Sequence, residues 1–209
     1  MDYIRALVEK YPTLTPVRLK IDAAYQIMEK SFESGGKLLL GGNGGSASDS
    51  EHIVGELMKS FVLKRSLPAS FVTKMRNIDS VRGPKLGECL QGALPAIAIT
   101  GHASLTTAFS NDVDPRMAFA QQVYGYGKAG DVLLAISTSG NAENLIYATV
   151  VAKAKGMSVI ALTGKDGGKM ARIADVAIIV PEKETYEIQE LHLPIYHALC
   201  LQLEEHFFS

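Results

Sequence analysis

Four glycines in five positions follow an apolar run, and a helical pattern follows the glycines. Residues 38–61 read LLLGGNGGSASDSEHIVGELMKSF. Lys37 to Leu40 has the length of a buried strand, and the glycines around Asn43 make a turn that only a small backbone can follow. A helix is predicted next, with Ser46, Ser48 or Asp49 as its N-cap. Strand, glycine turn and helix start together form an anion site, because unpaired N–H groups of the first helical turn point at whatever the turn admits. His52 and Glu56 stand four apart, so imidazole and carboxylate share a helix face, as a metal pair or an acid/base pair needs. The plain alternative is an ordinary strand–turn–helix connection with a solvated His and Glu.

Gly42-x-Gly44-x-x-Ala47 also fits the dinucleotide fingerprint. That reading needs a second strand ending in an acidic residue roughly 20 positions later, to hold a ribose. A basic, Pro- and Gly-punctuated stretch stands there instead, and the next strand begins near Leu94.

Beyond Leu94 the pattern is regular. Strands are predicted at 95–99, 131–136, 158–162 and 175–180, separated by helices at 104–109, 116–124 and 143–155 and followed by a long helix over 186–207. With the first strand this gives an α/β fold, a parallel five-stranded sheet covered by helices on both faces. Upstream, residues 1–10 read as a short helix. Thr15 and Pro16 read as N-cap and first position of a second, with Val17, Ile21, Ala24, Met28 and Phe32 at helical spacing until Gly35-Gly36. The expectation is one domain over 1–209 with N-terminal helices in 1–34 and an insertion at 63–92. That insertion carries Lys64, Arg65, Lys74, Arg76, Arg82 and Lys85 against Asp79 and Glu88. It reads as a solvated loop, with a lid or an oligomer contact as the sharper alternative.

A formal net charge of -1 gives no field to draw nucleic acid or an anionic membrane. Two cysteines, Cys89 and Cys200, make neither a disulfide framework nor a metal spacing. No apolar run reaches a membrane span, and Met1-Asp2-Tyr3 lacks a signal peptide's regions, so a cytoplasmic protein is expected.

A second turn, Ser137-Thr138-Ser139-Gly140-Asn141, offers three hydroxyls between strand and helix, a neutral cradle for a phosphate monoester. The absence of a triphosphate-binding lysine motif favours a sugar phosphate. A third turn, 163–168, reads as a plain turn. On the last helix Gln189 and His197 lie about 80° apart and can face one site, while His192 projects to the other side. His52, Glu56, Gln189 and His197 together suit a divalent metal, zinc first.

GGNGGS, the His52/Glu56 helix, Asn111-Asp112, ISTSGN, LTGKDGGKM and IQELH occur in that order. The chain thereby resembles the bacterial phosphoheptose isomerases of the sugar-isomerase (SIS) superfamily. The resemblance implies an SIS-type, Rossmann-like three-layer fold and aldose–ketose isomerisation of sedoheptulose 7-phosphate. It implies one zinc per subunit on His52, Glu56, Gln189 and His197, with Glu56 and His197 as acid/base residues. Substrate contacts are implied at Asn43, Gly44, Gly45, Glu56, Asn111, Asp112, Ser137, Thr138, Ser139 and Gln189, in a homotetramer with sites between subunits. Two alternatives stand beside it: an isomerase of another sugar phosphate, and a non-catalytic relative that binds a replication initiator. The chain departs from the family at Ala142, where a phosphate-contacting serine is usual, at Ser60, where a basic residue is common and Lys59 stands beside it, and in the length of the segment before Leu94.

Overall fold

The computed structural model describes residues 1–209. The chain opens with α1 (Tyr3–Lys10), a 3-10 segment (Pro12–Val17) and α2 (Arg18–Glu33). Thr15 does not cap α2. It lies inside the 3-10 segment, and the α-helix starts at Arg18 with no side-chain cap, because Pro12 and Pro16 tighten the preceding turn. Then follow β1 (Leu38–Gly42), α3 (Gly45–Met58), α4 (Ala69–Ile78), α5 (Arg82–Cys89), β2 (Ala96–Ala98) and α6 (Ala103–Asp112). A 3-10 turn (Pro115–Met117) leads to α7 (Ala118–Tyr126), β3 (Val132–Ser137), α8 (Glu143–Ala154), β4 (Ser158–Thr163), the short α9 (Met170–Ile173), β5 (Val176–Ile179) and α10 (Thr185–Phe208).

All five strands pair in parallel in the order β2-β1-β3-β4-β5. Strands covered on both faces must be apolar throughout, and β1 and β3 are buried along their whole length. Successive side chains divide between two cores. Leu38, Leu40, Val132, Leu134 and Ile136 meet α1, α2, α3 and α10 on one face. Leu39, Leu133, Ala135, Val159 and Ala161 meet α7 and α8 on the other. No helix is long and apolar enough to cross a membrane.

Three further expectations change. Residues 63–92 hold a helical hairpin rather than a loop. α4 and α5 pack on each other and bury no side chain, Gly83 being their one buried residue. Arg65, counted among the solvated basic residues, is fully buried. Asn111 and Asp112, beyond the end of the helix predicted at 104–109, are the last two residues of α6.

Candidate active site

The chain runs from β1 to β2 on one side and then crosses back to β3 on the other side of β1, so the carboxyl ends of β1 and β3 meet where strand order reverses. Ligands bind there in open α/β sheets. Gly42 pairs with Ile136, which sets the glycine turn beside Ser137, Thr138 and Ser139. Between them is a hollow of about 350 Å³ whose lining includes Asn43, Gly44, Gly45, Ser46, the three hydroxyl residues, Ala142, Thr185 and Gln189. Three helices begin at this hollow. α3 starts at Gly45, Ala142 is the N-cap of α8, and α10 starts at Thr185. None has a side-chain cap, so their first-turn N–H groups and positive dipole ends serve whatever anion enters. No lysine or arginine lines the hollow. The charge match therefore comes from backbone and hydroxyls, which suits a phosphate monoester.

The caps expected at Ser46, Ser48 or Asp49 are not formed. The helix starts earlier, with Gly44 as N-cap at φ +56°, and all three residues lie within α3. Asn43 is pinned by a reciprocal amide pair with Asn144, at 3.0 and 2.9 Å. The third turn braces the second from behind, through Gly164 N to Thr138 O and Met170 N to Gly140 O.

α3 and α10 run side by side and parallel. Gly45 meets Gln189 and His52 meets Tyr196, both pairs 144 residues apart. Along this seam His52 Nε2 lies 3.3 Å from Glu56 Oε1, and the His52 and His197 rings stand 5.1 Å apart. Lys59 Nζ reaches Glu56 Oε2 at 3.3 Å, so the lysine beside Ser60 touches the site. Burial holds the His197 imidazole below its usual range, with repulsion from His52 adding to the effect and Glu56 opposing it. His197 is therefore neutral near pH 7. Its Nε2 is buried without a hydrogen-bond partner.

The structure thus brings together His52, Glu56 and His197. It places Gln189 two turns earlier on α10, against Gly45 at the mouth of the hollow. No three His, Cys, Asp or Glu side chains are already gathered to hold a metal ion. The donor chemistry of the three nonetheless suits a borderline divalent cation, and the unpartnered His197 Nε2 is the kind of atom such an ion satisfies. Asn111 and Asp112 bond to each other at the exposed end of α6, away from the hollow. His192 is fully buried, and burial lowers its pKa to about 4, so it is a neutral core group.

Reading the sequence did not single out Tyr196, Glu204 or Thr185. Their partners are distant in the chain, Asp49 being 147 residues from Tyr196 and Arg65 139 from Glu204. A polar residue opening the last helix was the only local sign of Thr185.

Residues 86–164 match the model of the SIS domain family. A phosphoheptose isomerase of Aneurinibacillus thermoaerophilus is 35% identical over 99% of this chain and 95% of its own length. Among solved structures, a phosphoheptose isomerase from Francisella tularensis superimposes with a TM-score of 0.77 at 31% identity, covering 97% of this chain and 95% of that one. One from Neisseria gonorrhoeae gives 0.73 at 34% identity, covering 98% and 94%.

Proposed function

The chain belongs to the phosphoheptose isomerase family of SIS-domain proteins, and from that premise we propose that it interconverts sedoheptulose 7-phosphate and D-glycero-D-manno-heptose 7-phosphate. The observation that carries this reading is the seam itself. It has a neutral anion cradle at one end and a partly exposed His/Glu/His cluster further along the same two helices. At 1.5 Å per residue, His52 lies about 10 Å along α3 from Gly45 and Glu56 about 16 Å. A seven-carbon sugar phosphate is long enough to set its phosphate in the cradle and its C1–C2 end at the cluster.

Glu56 removes the proton from C1 of the ketose, giving a 1,2-enediol(ate), and returns it to C2. His197 donates to the C2 carbonyl oxygen and accepts from the C1 hydroxyl, which a neutral imidazole can do in either direction. Phosphate binding remote from the reacting carbons orients the substrate without taking part in proton transfer. His52, Glu56 and His197, with Gln189 as a fourth, would hold one zinc per subunit, and a bound zinc would supply Lewis-acid polarisation of the sugar oxygens. If Glu56 were also a ligand its basicity would fall, so the two roles compete at one carboxylate.

The assembly is a homotetramer with sites completed between subunits. Asn111 and Asp112 do not line the hollow within one chain, which is compatible with their serving the site of a neighbouring copy. The unpaired Cys89 and Cys200 suit the reducing cytoplasm. Ala142 leaves the cradle one hydroxyl short of the usual set, which favours testing other ketose phosphates beside the heptulose. The experiment is incubation of the protein with a panel of ketose phosphates in D₂O, with and without zinc, following exchange of the C1 protons by NMR. Exchange confined to sedoheptulose 7-phosphate supports the proposal. No exchange with any sugar reduces the protein to a binding module.

A further inference from the structure

Tyr196 on α10 bridges two side chains of α3. Its hydroxyl donates to Asp49 Oδ1 at 3.2 Å and lies 3.1 Å from His52 Nδ1. A phenol has one proton to give. If that proton pointed at His52, the Asp49 carboxylate would face phenol lone pairs at 3.2 Å. Its other oxygen, Oδ2, is already buried without a partner. Leaving both oxygens of a half-buried carboxylate unsatisfied is the costlier arrangement. With the proton on the Asp49 side, the phenol oxygen offers a lone pair to His52, and Nδ1 must carry the hydrogen.

We propose that Tyr196 and Asp49 are positioning residues that hold His52 in its Nδ1–H tautomer and turn the Nε2 lone pair toward Glu56. The tautomer is unusual, since a free neutral imidazole prefers its proton on Nε2. It also sets a lone pair 3.3 Å from a carboxylate oxygen, a repulsion that Lys59 on the other oxygen of Glu56 reduces in the metal-free protein and that a bound cation would remove. A histidine ligand whose far nitrogen donates to an oxygen has this arrangement. Here the oxygen is a phenol held in turn by a carboxylate. The consequence for metal affinity rests on the zinc reading above; the tautomer itself does not.

The test uses the full-length, metal-free protein labelled with ¹⁵N-histidine at pH 8, above the usual imidazole range. Two-dimensional ¹H–¹⁵N correlation reads which ring nitrogen carries hydrogen, and His52→Gln assigns the signal. Wild type should show His52 protonated on Nδ1. Tyr196→Phe removes the acceptor for that hydrogen. Asp49→Ala frees the phenol proton to turn onto Nδ1. Both should therefore move His52 toward the Nε2–H form, and thermal melts confirm that each variant is folded. Zinc affinity, read by titration with the metal alone, should weaken about 10- to 100-fold in both. An Nε2–H His52 in wild type, or an unchanged tautomer in both folded variants, overturns the proposal. If the tautomer shifts as stated while wild type takes up no zinc, the positioning role stands and the zinc reading falls.

Discussion

Arg65 Nε donates to Glu204 Oε1 at 2.8 Å where both side chains are buried, and the same guanidinium reaches Leu57 O at 2.7 Å and Glu56 O at 2.9 Å. Glu204 also accepts the N–H groups of Phe61, Val62 and Leu63. The pair closes the C-terminal end of α3 onto α10 and fixes the backbone of Glu56. Glu204→Gln leaves a buried guanidinium without its counter-charge, at a cost of about 3–5 kcal/mol. The melting temperature should fall by on the order of 10 °C. At a temperature where the variant is folded, kcat should fall more than KM rises, since the cradle lies at the other end of α3. Calorimetry and steady-state kinetics on one sample check both parts.

Acid lability should follow from two groups. His192 is neutral in the fold with a pKa of about 4, against about 6.5 when unfolded. The unfolded chain takes up a proton first, so this contribution is complete above pH 6.5 and is lost between 6.5 and 4, amounting to about 3 kcal/mol. Burial pushes the Glu204 carboxyl up, but its backbone N–H bonds and Arg65 outweigh that and hold it below the usual range. Its contribution is present above the ordinary glutamate value and disappears as pH falls through the lowered one. Melting temperature followed from pH 7 to 4 should decline, and His192→Met should flatten the upper part of that slope.

Two glycines separate cradle from scaffold. A methyl at Gly45 meets the flexible amide of Gln189, which can swing aside. Gly45→Ala should melt near wild type but raise KM several-fold, because the side chain then intrudes where the phosphate sits. Gly140 has φ +62°, and a Cβ there overlaps the backbone carbonyl of Gly167. Gly140→Ala should lose at least about 1–2 kcal/mol from the left-handed backbone alone. Comparing melting curve and KM for the two variants distinguishes them.

The hairpin of α4 and α5 exposes Phe71, Ile78, Val81, Leu86 and Leu90. Two helices this short with no buried side chain do not hold together in water without another surface to pack on. The proposed tetramer supplies one. Light scattering should give a species four times the 22.5 kDa chain. Val81→Asp together with Leu86→Asp should weaken that species if the hairpin lies at a subunit contact. An unchanged tetramer would make the hairpin peripheral to assembly.

Much of this was legible because it is local. Strand, glycine turn and helix follow one another within twenty residues around Asn43, and the i, i+4 spacing of His52 and Glu56 fixes their shared face before any tertiary contact forms. The same holds for Ser137 to Ser139 between an apolar run and a helix. The parts that escaped depend on contacts across the chain. Nothing near Arg65 announces that it is buried, since the group that neutralises it is on the last helix. A basic residue in a basic stretch reads as solvated until its partner is seen. Gln189 and His197 can share a helix face by angle, yet their axial separation of about 12 Å puts one at the cradle and the other beside His52. The hairpin was unreadable for a different reason. Its apolar residues mark two amphipathic helices, but Pro68, Gly83 and Pro84 within the same stretch read as loop punctuation.

The central claim is that Glu56 is the base that moves hydrogen between C1 and C2, and Glu56→Gln tests it most directly. The amide keeps size and hydrogen bonding but cannot accept the C–H proton. A general base of this kind contributes about 10²- to 10⁴-fold in rate, roughly 3–5 kcal/mol of barrier. The measurement is solvent exchange of the C1 protons of sedoheptulose 7-phosphate in D₂O by NMR, with substrate affinity and metal content determined on the same sample. Turnover lower by at least about 100-fold, with substrate affinity within a few-fold of wild type and the two proteins compared at equal metal content, is the predicted result. Near-normal exchange in Glu56→Gln with substrate bound would contradict the account and move the base to another group on the seam.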